Sequence, residues 1–301
     1  MQQKQLIWLA GSLLILLTLA FISGTFDNEI STVDVPALSI SSEQIENFEI
    51  VTSDSSIYML SKIQGKWKIT APVESAADSL TVARFTENLD DLRLESVVST
   101  NPQKYETYGV GPAGKHVNIT WGRNKKTFYI GENGPDFQSF YVRLGNDPRV
   151  FLSNGRLNLP ENLDTWRDKT VINLPEAQID RIAVSLPGDN YEVVRSGTSW
   201  LLNEDDETTA ADSTKVTTWL RRFTPLKANA FLDDLTAADV KAEATHQIHF
   251  SVPGGSTQTL WALDEEAQLA GVVSGKNATF RLTSTLLSSY FPAPEDLAED
   301  D

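Results

Sequence analysis

Gln44-Ile45-Glu46-Asn47-Phe48-Glu49-Ile50 and Gln178-Ile179-Asp180-Arg181-Ile182-Ala183-Val184 are one pattern written twice. Gly65-Lys66-Trp67-Lys68-Ile69 is answered by Gly197-Thr198-Ser199-Trp200-Leu201-Leu202, and Ala77-Asp78-Ser79 by Ala211-Asp212-Ser213. The three offsets are 134, 133 and 134 residues. A near-constant offset across separate motifs is the mark of an internal repeat. Each copy opens with short alternating runs that read as strands: Ile45, Phe48 and Ile50, then Ile57-Tyr58-Met59-Leu60, then Trp67-Lys68-Ile69.

A helix follows in each copy. Asp78 or Ser79 caps the first, and Val82, Phe85, Leu89 and Leu92 share one face. In the second, Asp212 or Ser213 caps, and Val216, Trp219, Phe223 and Leu226 take the same places, with Pro225 ending or kinking the helix. More strands come after. His116 to Trp121 pairs with Thr127 to Ile130 across a Gly122-Arg123-Asn124-Lys125-Lys126 turn, and Phe140 to Arg143 pairs with Arg149 to Leu152. The second copy offers His246 to Val252, Thr259 to Leu263, Leu269 to Val273 and Ala278 to Leu282. Short strand-to-strand gaps favour antiparallel pairing. The expected fold class is α+β: an N-terminal transmembrane helix, then two tandem repeats, each a mainly antiparallel sheet with one packed helix.

The N-terminus motivates the transmembrane helix. Leu6 to Ile22 is an apolar run interrupted only by Gly11, Ser12 and Thr18. Such a run spans roughly 26–28 Å as a helix, enough for a thin bilayer. Lys4 precedes it and no Lys or Arg follows until Lys62, which places the N-terminus in the cytoplasm and the bulk outside it. A cleaved signal peptide competes, but its hydrophobic region is usually shorter, and Thr18-Leu19-Ala20 lies inside the run. The expected organisation is anchor 1–24, linker 25–41, repeat one 42–155, connector 156–175, repeat two 176–291 and an acidic disordered tail 292–301. The expected location is the bacterial cytoplasmic membrane, single-pass, with membrane lipid contacted through Leu6 to Ile22.

Composition narrows the function. The chain has 301 residues, a net charge of −16 and no cysteine. Disulfides, Cys-ligated metals and thiol nucleophiles are excluded. Nucleic acid is not an expected partner, because phosphate binding needs the opposite charge. The acidity is uneven: net −2 over 42–155, −7 over 156–291 and −5 over the tail.

Gly65-x-Trp67, Pro72, Ala77-Asp78, Tyr108-Gly109-Val110-x-Pro112, Tyr141-Val142-Arg143 and Trp166-Arg167-Asp168-Lys169 together resemble the bacterial "domain of unknown function 4340" family. The resemblance covers most of 42–290. It implies a membrane-anchored envelope protein, often encoded beside ABC-type permeases, and so transporter subunits as partners; it implies no reaction. The second copy has no counterpart of the Tyr-Gly-x-x-Pro string.

Motifs that carry chemistry are few. Gly109-Val110-Gly111-Pro112-Ala113-Gly114 fits G-x-G-x-x-G, but a strand follows it where dinucleotide binding needs a helix N-terminus, so a structural turn is expected. His246 and His249 fall on opposite faces of one strand and cannot share an ion; His246 is expected to pack. The clusters Asn203 to Glu207 and Asp264 to Glu266 lack EF-hand spacing. No serine-hydrolase, zincin or P-loop string occurs. No catalytic residue, metal site or cofactor is therefore expected.

Two motifs are candidate structural or interface sites. In Tyr108, Gly109 and Pro112, glycine would permit positive φ and Tyr108 would plug the sheet. In Trp166, Arg167, Asp168 and Lys169, an Arg–Asp ion pair would close the first domain beneath Trp166, unless the motif meets a partner. The expected function is a non-enzymatic, membrane-anchored binding or scaffolding accessory of a membrane complex. The alternatives are an extracytoplasmic carboxylate-dependent hydrolase of envelope polysaccharide and a receptor using the groove between copies.

Overall fold

The computed structural model describes residues 35, 36, 38 and 41–299, apart from 137, 156, 206, 253, 255, 266 and 267. The expected anchor, Leu6 to Ile22, lies outside the described residues. Among those described, no helix is long and apolar enough to cross a membrane.

The first copy builds β1 (Asn47–Val51), β2 (Ile57–Ile63), β3 (Lys66–Ala71), β4 (Ser75–Ala76), α1 (Ser79–Asp91), β5 (Arg93–Ser99), β6 (His116–Trp121), β7 (Asn124–Asn133), β8 (Ser139–Leu144) and β9 (Val150–Asn154). After α2 (Leu163–Trp166) and β10 (Thr170–Ile172), the second builds β11 (Arg181–Ser185), β12 (Asn190–Ser196), β13 (Ser199–Glu204), β14 (Glu207–Ala211), α3 (Ser213–Leu220), β15 (Leu226–Lys227), β16 (Ala230–Phe231), α4 (Ala237–Glu243), β17 (His246–Val252), β18 (Ser256–Glu265), β19 (Gln268–Val273) and β20 (Phe280–Leu282). The chain closes with α5 (Leu287–Tyr290) and α6 (Pro294–Leu297).

Two nine-stranded sheets result, in the orders β4-β3-β2-β1-β6-β7-β8-β9-β5 and β14-β13-β12-β11-β17-β18-β19-β20-β16. The orders are equivalent strand for strand, so the repeat read from the sequence is a structural duplication. Registers correspond too. Phe48 stands opposite Leu60 and Ile119, as Ile182 stands opposite Val193 and Phe250. The pairings are antiparallel, as short connections require.

In the first unit α1 covers one sheet face. Val82, Phe85 and Leu89 are buried, as is Leu92 just beyond the helix, and the Phe48 ring lies 5.5 Å from Phe85 and 4.9 Å from Trp67. In the second, α3 does the same with Val216 and Trp219, capped by Asp212, whose carboxylate accepts from the N–H groups of Thr214 and Lys215. This helix is shorter than its periodicity predicts. It stops at Leu220, a 3-10 turn spans Arg221–Phe223, and Leu226 belongs to β15, paired with β10. Pro225 lacks the N–H to continue it.

Several expectations need correction. The second unit carries α2, α4, α5 and α6 besides α3, so it does not hold one helix. The chain divides after Glu161, inside the connector expected over 156–175, and Ser75–Ser79 also belong to the second unit. The β6–β7 turn is Gly122-Arg123 alone, since Trp121 already pairs with Asn124. Residues 292–299 do not form a disordered end. Leu297 is 2% exposed in the second core, Ala298 bridges Ala211, and Tyr191 Oη donates to Pro292 O at 2.6 Å. A few apolar anchors outweigh the charge of this segment.

Candidate functional site

The Tyr-Gly string lies in the first unit, between β5 and β6. Asn101 caps a 3-10 turn at Pro102–Lys104, a second spans Glu106–Tyr108, and Gly109 follows with φ +68°. A Cβ on Gly109 would crowd the Glu132 backbone at 3.1 Å. The turn lies directly on β7: a Cβ on Gly131 would stand 2.1 Å from Tyr108 O. Tyr108 rests against Tyr141, ring centroids 4.7 Å apart, and Val110 is fully buried. Pro112 is exposed, and β6 follows, so the glycine string is a turn.

Arg143 holds this turn in place. Its side chain is buried, donating from Nε to Val110 O at 2.9 Å and from Nη1 to Gly145 O at 2.9 Å. The guanidinium lies between the Tyr129 ring, 3.7 Å away, and the Tyr105 ring, 4.6 Å away. Carbonyls and aromatic faces thus balance the charge, an arrangement a planar guanidinium suits and an ammonium does not.

Beside the turn is a polar cleft. One hollow of about 530 Å³ is lined by Lys115, Asn133, Ser139, Asn158 and Leu159, among others, and a neighbouring one of about 430 Å³ by Ser53, Gly109, Lys115 and Glu161. Glu161 Oε2 accepts from Ser53 N at 2.8 Å and from Ser53 Oγ, and Lys115 Nζ lies 3.6 Å from Oε1. Those serine bonds, then Lys115, hold the carboxyl below its ordinary pKa. The other carboxyls with displaced values, Asp54, Asp136, Asp147 and Asp212, are also displaced downward, chiefly by hydrogen bonds. A general acid needs the opposite displacement. Among the described residues no group of three His, Asp or Glu side chains could hold a metal ion. His246 packs as expected, its ring 5.1 Å from Phe291, and burial lowers its pKa.

The Trp166-Arg167-Asp168-Lys169 motif belongs to the second unit, so the expectation that it closes the first is corrected. Trp166 is fully buried at the end of α2. Arg167 is 3% exposed and forks onto Asp233 at 2.9 and 2.7 Å, with Asp164 at 3.2 Å and the Phe231 ring 4.4 Å away. The ion pair is real, but its main partner lies 66 residues away in sequence. Around it, Asp78 N donates to Trp166 O and Asp168 N to Ala76 O, so the Ala77-Asp78 motif docks here too. Asp168 Oδ1 accepts from Thr170 N, and Lys169 O accepts from Ala228 N.

The structure thus brings Tyr108, Gly109, Tyr141 and Arg143 together in one unit, and Trp166, Arg167 and Ala77 in the other. Sequence reading missed Ser53, Lys115 and Glu161, and also Tyr105, Tyr129 and Asp233. These residues meet only through sheet register and long loops. The one usable signal was Arg143 within an apolar strand, a charge that had to find partners.

No curated protein matches the chain. A family model described as "Domain of unknown function (DUF4340)" matches residues 67–247, from β3 of the first unit into β17 of the second. That span is more than half of the chain, and by it the protein belongs to the domain of unknown function DUF4340 family.

Proposed function

We propose that this chain is a non-enzymatic binding or scaffolding protein of the bacterial envelope, anchored by Leu6 to Ile22 with both units outside the cytoplasm. It acts as an accessory of a membrane complex, with an ABC-type transporter as the partner. One observation carries the reading: the buried cations of the two motif clusters, Arg143 and Arg167, are spent on holding turns and strands. The carboxyls with displaced values are held down, which suits an ionised group and does not supply the raised general acid that polysaccharide hydrolysis also needs. What remains for recognition is surface. Affinity purification of the tagged full chain in mild detergent should recover a multi-spanning membrane subunit in near-equal amount. Recovery of the chain alone overturns the proposal.

A further inference from the structure

The sheet of the first unit has two faces, and α1 covers one. Phe48, Leu60, Ile69 and Ile119 align on the covered face. The residues between them point the other way. Through the same registers Asn47, Ser61 and Lys68 align, Ile63 stands opposite Lys66, and Thr120 stands opposite Lys125.

This outward face is unusual in two respects. Ile57, Met59 and Ile63 are 48, 41 and 41% exposed, and they are three of the four most exposed large apolar side chains among the described residues. All three fall on β2 at alternating positions, so they form one stripe rather than scattered contacts. Lys66, Lys68 and Lys125, all exposed, surround the stripe, and among the described residues no salt bridge uses them. Glu49 is the acid on the same strands' outward positions, half-buried and accepting from Asn118 Nδ2 at 2.6 Å. On a chain of net charge −16, this is a local cationic, apolar surface.

The duplication supplies an internal control. By register, Ile57, Met59 and Ile63 correspond to Asn190, Glu192 and Ser196 of β12, and Lys66 and Lys125 correspond to Ser199 and Thr257. Glu192 is tied to Arg181. Ser61 and Lys68 correspond to Val194 and Leu201, which are half-buried, so the second unit keeps two apolar side chains on this face but has neither the exposed stripe nor the lysines.

We propose that this face docks on an anionic lipid surface. Apolar side chains ringed by lysines match such a surface: the stripe enters the acyl boundary while lysine stems reach back to acidic headgroups. The inference rests on the anchor reading of Leu6 to Ile22. About 25 residues separate Ile22 from β1, a tether that reaches no further than about 90 Å and keeps the face at high effective concentration near the bilayer.

The test uses the full chain, whose lack of cysteine makes a single introduced thiol unique. Ser61→Cys places a fluorophore between Met59 and Ile63, and Val194→Cys places one at the equivalent point of the second unit. Each variant goes into nanodiscs of phosphatidylglycerol or phosphatidylcholine carrying brominated acyl chains as quencher. Quenching is expected at residue 61, not at 194, and only in anionic discs. Lys66→Gln, Lys68→Gln and Lys125→Gln should each weaken it roughly fivefold. No quenching at residue 61, or equal quenching at both sites, overturns the proposal. So does a residue-61 thiol shielded from aqueous maleimide in native membranes without lipid quenching, which would mean a protein covers the face. Retention of the chain on discs in about 1 M salt, where surface charge is screened, reads the anchor separately.

Discussion

The two units share strand order and register, yet they cover the same strip of sheet by opposite means. On β7 and β8 the first unit lays a glycine-bearing 3-10 turn pinned by Arg143, sandwiched between two tyrosines. On β18 and β19 the second lays α4, whose buried Val240 packs with Leu263, Ala270 and Val272. Val272 occupies the register position of Arg143. A duplicated scaffold thus tolerates a helix seated by buried apolar contacts, with the exposed Lys241 over the Trp261 ring at 5.0 Å, or a buried cation held by carbonyls and rings. The second is the more specific device, because one altered atom leaves a buried carbonyl or charge unpaired.

Arg143→Val, which gives the first unit its sibling's residue, breaks the comparison most severely. It strips Val110 O and Gly145 O of their donor and removes two cation–π contacts, a loss of about 3–5 kcal/mol. Hydrogen exchange on the full chain should show protection falling across β6 to β8 while β17 to β19 hold. Arg143→Lys should also destabilise the unit; wild-type protection in that variant would contradict the account of the latch.

Arg167→Met tests the second unit's own buried cation. Asp233 is partly solvated, with 44% of its side chain exposed, so the loss is smaller, about 2–3 kcal/mol. Denaturant melts should move the second unit's transition and leave the first in place. An unmoved second transition would show that the fork contributes nothing.

The smallest effect lies at Glu161. Its folded pKa is depressed, so its contribution is whole above the ordinary value of 4.5 and fades as the pH falls through the folded value. Glu161→Gln should cost under about 1 kcal/mol at neutral pH, since the side chain is 36% exposed, and nothing at strongly acid pH. A difference between variant and parent that stays constant with pH would remove the ion pair and serine bonds as its cause.

Alternation made the central strands legible. His116–Trp121 and His246–Val252 have the bounds their patterns suggest, because one face of each is buried. Edge strands hid. In β14, Glu207 through Ala210 are exposed, leaving no period to read. The α4 segment hid because only Val240 in it is buried, and its cap, Thr236, lies outside any apolar run. The tail misled because acid composition masked Pro294 and Leu297, both buried. At the sites, Tyr108 and Gly109 were legible as a turn since positive φ selects glycine. The partners of Arg143 and Arg167 were not, since Tyr129 and Asp233 reach them through tertiary placement alone.

The assignment of Ser75–Ser79 to the second unit has a consequence in time. Trp166 and Asp168, whose backbones bond Asp78 and Ala76, are synthesised about 90 residues after those partners. At ordinary elongation rates that is a delay on the order of 5–20 s. During it the rest of the first repeat is made while a stretch between β3 and α1 still waits for its pairing strand. Maturation of this chain is therefore not a clean succession of one repeat and then the next. The earlier copy carries an open stitch that only the later one can close, and a single cut after Glu161 would leave both ends of that stitch loose.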